Sequence, residues 1–183
     1  MRNLPAVLAT LGDDAAFVQV SLAQAHITHH HPLSDAAVLG LGHLLRALLA
    51  GAGPADCAER MAALVAATPA FRFSPYPGRA SGYVVDTVQT VLHCFTQHAD
   101  AEAAVVAAVN QGDDADTTGA LVGMLAGARC GAAALPARWL ARLQPAVRRA
   151  VTEQASALLA LAPALALPAA TPLNPTGARH ADV

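Results

Sequence analysis

Proline, glycine and aspartate cut this chain into blocks of helical length. Inside the blocks apolar residues recur at three- and four-residue intervals. No stretch alternates with period two for long enough to make a strand. The β-branched run Val84, Val85, Thr87 and Val88 continues into QTVLHCF at helical spacing, so it too reads as helix. Alanine, the best helix former, supplies about a quarter of the residues, while aromatics supply only 4%. The expected fold class is all-α.

The punctuation predicts eight helices. Asp13 or Asp14 caps the first, which runs to His26. A second covers 33–50 and stops at Gly51, and a third covers 54–67 behind Pro54. A proline-rich loop, 68–81, separates these from a helix over 83–95. Asp100 caps the next, to Val109. Thr117 or Thr118 caps a helix that Gly131 stops, and prolines open the last two, 136–143 and 145–161. Gly119, Gly123, Gly127 and Gly131 recur every fourth residue, a stripe that lets another helix approach closely.

Charge excludes some functions. Eleven basic and thirteen acidic residues leave a net −2 with no basic excess, so nucleic acid is not an expected partner. All eleven basic residues are arginine, which reads as the coding bias of a GC-rich genome. Cys57, Cys94 and Cys130 are widely spaced and odd in number, as expected of reduced thiols in a cytoplasm. The N-terminal apolar run is short and holds Pro5, unlike a signal peptide. The apolar run over 155–170 is broken by Pro163 and Pro168, short of the roughly 20 residues that span a bilayer. A cytoplasmic protein without a transmembrane segment is expected.

Three segments could carry chemistry. In NQGDDADTTGA, residues 110–120, carboxylates and hydroxyls crowd one turn. Asp114, Asp116 and Thr117 offer the hard oxygen donors that suit Mg²⁺ or Mn²⁺, although acids and threonines there also cap helices. No Glu closes a twelve-residue calcium loop. In ITHHHPLSDAA, residues 27–37, three adjacent histidines cannot easily converge on one ion. His43, on the following helix, reads as a hydrogen-bonded core histidine. In SGYVVDTVQTVLHCF, Tyr83 opens a helix beside the long loop, where a ring can stack on a ligand or simply pack. His93 and Cys94 are neighbours on a helix and point apart, which argues against a nucleophile pair. No phosphate-binding loop, dinucleotide fingerprint, nucleophile elbow or zinc-protease motif is present.

In this order, MRNLP at 1–5, THHHPLSDA at 28–36, GYVVDT at 82–87, GDDADTTGALVGMLAG at 112–127 and LPARWLARL at 135–143 resemble the ADP-ribosylglycohydrolases. The likeness is strongest to the bacterial branch that acts on dinitrogenase reductase, and it covers about residues 1–145. The resemblance implies an orthogonal helical bundle with a binuclear Mn²⁺ or Mg²⁺ centre. It implies hydrolysis of the N-glycosidic bond between ADP-ribose and an arginine of a target protein. It makes Asp114, Asp116 and Thr117 metal ligands and puts His29 in the ADP-ribose cleft. It places Tyr83 and Gly82 against the nucleotide, and Gly112 and Asp113 at the cleft rim. It also implies an ADP-ribosylated protein, dinitrogenase reductase, as partner, and control through a PII signalling protein and membrane recruitment.

The family further carries an N-terminal region with an early acidic residue and a Thr-Asp-Asp segment that supply its other metal ligands. No such segment occurs here, and MRNLP matches the end of that region. The expectation is therefore the C-terminal part of one such domain over residues 1–162, without its N-terminal helices, then a disordered Ala/Pro-rich tail over 163–183. The catalytic residues are expected upstream of Met1, and this chain is expected to give no turnover by itself. The rival expectations are a non-catalytic ADP-ribose-binding or regulatory fragment, and a helical remnant without activity.

Overall fold

The structure, a computed structural model, describes residues 1–165. It is all-α, with no strand among the described residues. The order is α1 Leu4–Ala9, α2 Asp14–His26, α3 Pro32–Leu49, α4 Pro54–Ala67, α5 Val84–Gln97, α6 Ala101–Val109, α7 Ala115–Cys130, α8 Ala137–Leu140 and α9 Pro145–Leu159.

Local chemistry sets most of the boundaries. Asp13 Oδ1 accepts from the Ala16 N–H at 2.8 Å and Asp100 Oδ1 from the Ala103 N–H at 2.8 Å, each capping a helix start. Gly131, at φ +78°, ends α7 in a backbone conformation that other residues adopt with difficulty. Two expectations need correction. Helix α1 was not foreseen, because Pro5 reads as a break. It lies in the helix's first turn, where its missing N–H costs nothing. Helix α7 starts at Ala115 rather than after a threonine cap. Asp114 holds the cap position, and Thr118 lies inside the helix with its hydroxyl on the Asp114 carbonyl.

The core lies among α3, α5 and α7, with Phe17 of α2 and Met61 of α4 closing it from the sides. Leu44, Leu45, Val91, Leu92, Val122 and Leu125 are almost wholly buried in it. Helix α3 is the one described helix long and apolar enough to cross a membrane by length and composition. Its Leu41, Leu44, Leu45 and Leu48 face are in the core, which accounts for that apolarity.

The glycine stripe works over only half its length. A Cβ on Gly119 would lie 2.8 Å from Val109 Cγ2 of α6, and one on Gly123 would lie 3.6 Å from Val105 Cγ2. One on Gly127 would meet nothing within 4 Å. Helix α9 docks on α1 and buries no residue fully. Beyond it the Ala164 N–H donates to the Leu11 carbonyl at 2.9 Å, directly over Gly12. Of the expected tail, residues 166–183 lie outside the described residues.

Candidate functional site

A cleft of about 350 Å³ opens between α1, α2, α3, the start of α5 and the start of α7. Its lining brings together His29, Gly82, Asp114 and Thr117, four of the eight residues proposed from the sequence. These come from three separate segments of the chain. Asp116, Tyr83, Gly112 and Asp113 are not in the lining.

The start of α5 lines the cleft through Val84, Thr87 and Val88. Asp86, Thr87, Gln89 and Thr90 are buried although polar, because each holds the preceding loop. The Gln89 amide donates to the Ala70 and Arg72 carbonyls, both at 2.9 Å. The Thr90 hydroxyl lies 2.9 Å from the Arg79 carbonyl and 2.9 Å from the Tyr76 hydroxyl, whose ring stacks on His93 at 4.3 Å. The Ser81 hydroxyl donates to Asp86 Oδ2 at 2.6 Å, and the Thr87 hydroxyl donates to the Ser81 carbonyl. The loop is thereby held along α5, and it delivers Gly82 to the cleft. Tyr83 becomes the cap residue of α5 and stays 57% exposed.

The acidic turn reaches the cleft through Asp114 and Thr117. Gly112 at φ +74° and Asp113 at φ +52° reverse the chain between α6 and α7. The Asp114 N–H then donates to the Ala80 carbonyl at 3.0 Å, fastening this turn to the α5 loop. The Asp114 side chain makes no capping bond to its own helix, although it occupies the cap position. It lines the cleft instead, against Gly82. The Asp116 carboxyl is held below the usual carboxylate range, first by a hydrogen bond with the Asp114 side chain and then by the Thr117 N–H at 3.0 Å. Two carboxyl groups this close repel unless a proton or a cation lies between them.

The three histidines separate into three roles. His29 lines the cleft, with Nδ1 2.8 Å from the Thr28 hydroxyl. His30 stacks on His26 at 3.9 Å, and His26 Nε2 meets Asp35 at 2.9 Å. His31 Nδ1 accepts from the Leu33 N–H at 3.1 Å and caps α3. His43 differs from its expectation. It packs edge-on against Phe17, 4.8 Å between centroids, and has no hydrogen bond among the described residues.

Sequence reasoning missed Arg2, Asn3 and Gln24, which also line the cleft. The Gln24 amide donates to Asn3 Oδ1 at 3.2 Å, and the Asn3 amide donates to the Val38 carbonyl at 3.3 Å. Their only sequence signal was the position of Arg2 and Asn3 in a short motif at the chain start.

The donor chemistry fits a hard divalent cation. Asp114 and Asp116 bring two carboxyl groups to one helix start, Thr117 lines the cleft beside Asp114, and Asp114 is free of any capping duty. The donor number is small. No group of three or more His, Cys, Asp or Glu side chains capable of holding a metal occurs among the described residues.

Comparison with known proteins agrees with the all-α fold. The chain is 51% identical over 162 residues to the ADP-ribosyl-[dinitrogen reductase] glycohydrolase of Rhodospirillum rubrum, a match that covers 88% of this chain and 55% of that protein. It is 38% identical over 65 residues to an ADP-ribosylarginine hydrolase of Pseudomonas putida, covering 36% of this chain and 18% of the relative. A solved structure described as an ADP-ribosylglycohydrolase-related protein complex superposes with a TM-score of 0.75 at 32% identity. That match covers 86% of this chain and 57% of the solved one. The chain thus spans little more than half the length of the Rhodospirillum relative and of that solved chain. The ADP-ribosylglycohydrolase family profile matches residues 1–168, nearly the whole chain, and this protein belongs to that family.

Proposed function

We propose that the cleft receives the ADP-ribosyl group of a modified protein, and that the protein hydrolyses the N-glycosidic bond joining it to arginine. The observation that carries this reading is the convergence of His29, Gly82, Asp114 and Thr117 on one cleft in a chain of this family. Water adds at the anomeric carbon, the bond to the guanidine nitrogen breaks, and that nitrogen takes up a proton. The products are free ADP-ribose and unmodified arginine. The names of the Rhodospirillum and Pseudomonas relatives support arginine as the acceptor, and the first supports dinitrogenase reductase as the target.

In this reading Asp114, Asp116 and Thr117 hold Mn²⁺ or Mg²⁺. A divalent ion there supplies positive charge that orients substrate oxygens and water. The protein's own part is to aim Asp114 into the cleft through the Ala80 carbonyl bond, and to keep Gly82 small so that the carboxylate has room.

The test is release of ADP-ribose from an ADP-ribosyl-arginine substrate with Mn²⁺. The few donors present predict no measurable turnover by these residues alone. Turnover is expected from a family domain of the Rhodospirillum relative's length that carries these residues. A full-length domain bearing these residues that leaves the substrate intact contradicts the hydrolase reading. The small donor set also supports a second reading, an ADP-ribose-binding module without catalysis. Binding of ADP-ribose without turnover, even in the full-length domain, selects that one.

A further inference from the structure

One wall of the cleft carries a hydrogen-bonded chain that the metal reading does not use. Arg2 and His29 both line the cleft, and Thr28 joins them. An Arg2 Nη2 N–H donates to Thr28 Oγ1 at 2.5 Å, and the same oxygen lies 2.8 Å from His29 Nδ1. A guanidinium can only donate, so Arg2 occupies a lone pair of the threonine oxygen. Two arrangements remain for the second bond: the hydroxyl proton goes to Nδ1, or Nδ1–H donates to the oxygen. In the second, Thr28 Oγ1 would accept from two N–H groups, one of them cationic, and its own proton would be left to water in this exposed position. In the first, donation by the guanidinium polarises the hydroxyl and strengthens its bond to the imidazole. The first arrangement makes Nδ1 an acceptor, so the proton of the neutral ring sits on Nε2. That nitrogen has no protein partner among the described residues.

We infer that Arg2 and Thr28 are positioning residues that fix His29 as the Nε2–H tautomer, so that it offers a hydrogen-bond donor to an acceptor oxygen of the cleft's ligand. The ligand class, an oxygen-rich ADP-ribosyl group, rests on the function proposed above. The tautomer does not.

Histidine-selective ¹⁵N labelling and long-range proton–nitrogen correlation spectra test this, in the free 183-residue protein at a pH where the ring is neutral. His29→Gln assigns the signals. The expected spectrum shows a non-protonated Nδ1 and a protonated Nε2 for His29. Thr28→Val should shift it toward a mixture of tautomers, and Thr28→Ser should restore it. Arg2→Gln should move it part of the way. A wild-type spectrum with the proton on Nδ1 overturns the inference, and this needs no variant to fold. So does a Thr28→Val spectrum identical to wild type in a protein with unchanged circular dichroism. Titration with ADP-ribose separates the two proposals. An Nε2–H tautomer whose signals ADP-ribose leaves unmoved supports the chain and contradicts the ligand, whereas an Nδ1–H tautomer whose signals move does the reverse.

Discussion

Asp114 lies directly against Gly82: a Cβ placed on that glycine would approach Asp114 Oδ2 to 3.2 Å. The contact joins the two segments on which the functional reading depends, the acidic turn and the end of the proline-rich loop. Gly82→Ala should push the carboxylate aside by a few tenths of an ångström. The expected outcome is Mn²⁺ affinity about tenfold lower, equivalent to about 1.4 kcal/mol. Gly82 is exposed, so stability should change by less than about 0.5 kcal/mol. Metal titration followed by paramagnetic relaxation, with a thermal melt alongside, measures both. Unaltered affinity would remove Gly82 from the site.

Gln89 anchors the loop that carries Gly82. Replacing it with alanine frees the Ala70 and Arg72 carbonyls from its amide. The loss should be about 1–3 kcal/mol, the usual cost of unpaired polar groups in a partly buried place. The loop should also open locally. Trypsin cleavage after Arg72 and Arg79, timed against wild type, is expected to accelerate severalfold, and equal rates would show that the loop is held by other contacts.

Gly119 and Gly127 of the glycine stripe should respond with opposite sign. Gly119→Ala drives a methyl to 2.8 Å from Val109 Cγ2 and should cost about 1–3 kcal/mol through overpacking. Gly127→Ala meets nothing within 4 Å and should stabilise by up to about 1 kcal/mol through helix propensity. Urea unfolding of both variants checks the pair. A stabilised Gly119→Ala would mean that α6 yields without cost.

Burial pushes the His43 imidazole below its ordinary range, partly opposed by Asp14 and reinforced by Arg46 and Arg60. Burial, with His98 adding, does the same at His93. In the window between the lowered folded values and the ordinary value near about 6.5, the unfolded chain binds more protons than the folded one. Stability should therefore be complete above that window and decline as the pH falls through it. Thermal melts between about pH 7.5 and 5.5 should show this, with a shallower decline in His43→Phe. Equal slopes would mean that His43 titrates freely in the folded state.

The fold class was legible because helix capping is local. Asp13, Asp100 and Gly131 act within a few residues of their own position, and each does what its place in the chain implies. The short helix α1 was not legible. Proline is a breaker or an opener depending on a helix start that only tertiary packing fixes. At the site, Asp114 and His29 could be named from motifs. Their surroundings could not, because Arg2, Asn3 and Gln24 reach the cleft through pairings across more than twenty residues. His43 shows the same limit: whether a half-buried histidine finds a hydrogen bond or a Phe17 edge depends on the neighbouring helix.

The most direct measurement is calorimetric titration of the 183-residue protein with ADP-ribose, with and without Mn²⁺, in wild type and in Asp114→Asn. The cleft described here predicts binding that Mn²⁺ strengthens in the wild type, and that Asp114→Asn weakens at least about tenfold, or about 1.4 kcal/mol. No heat at millimolar ADP-ribose, or equal affinity in the two proteins, would contradict it.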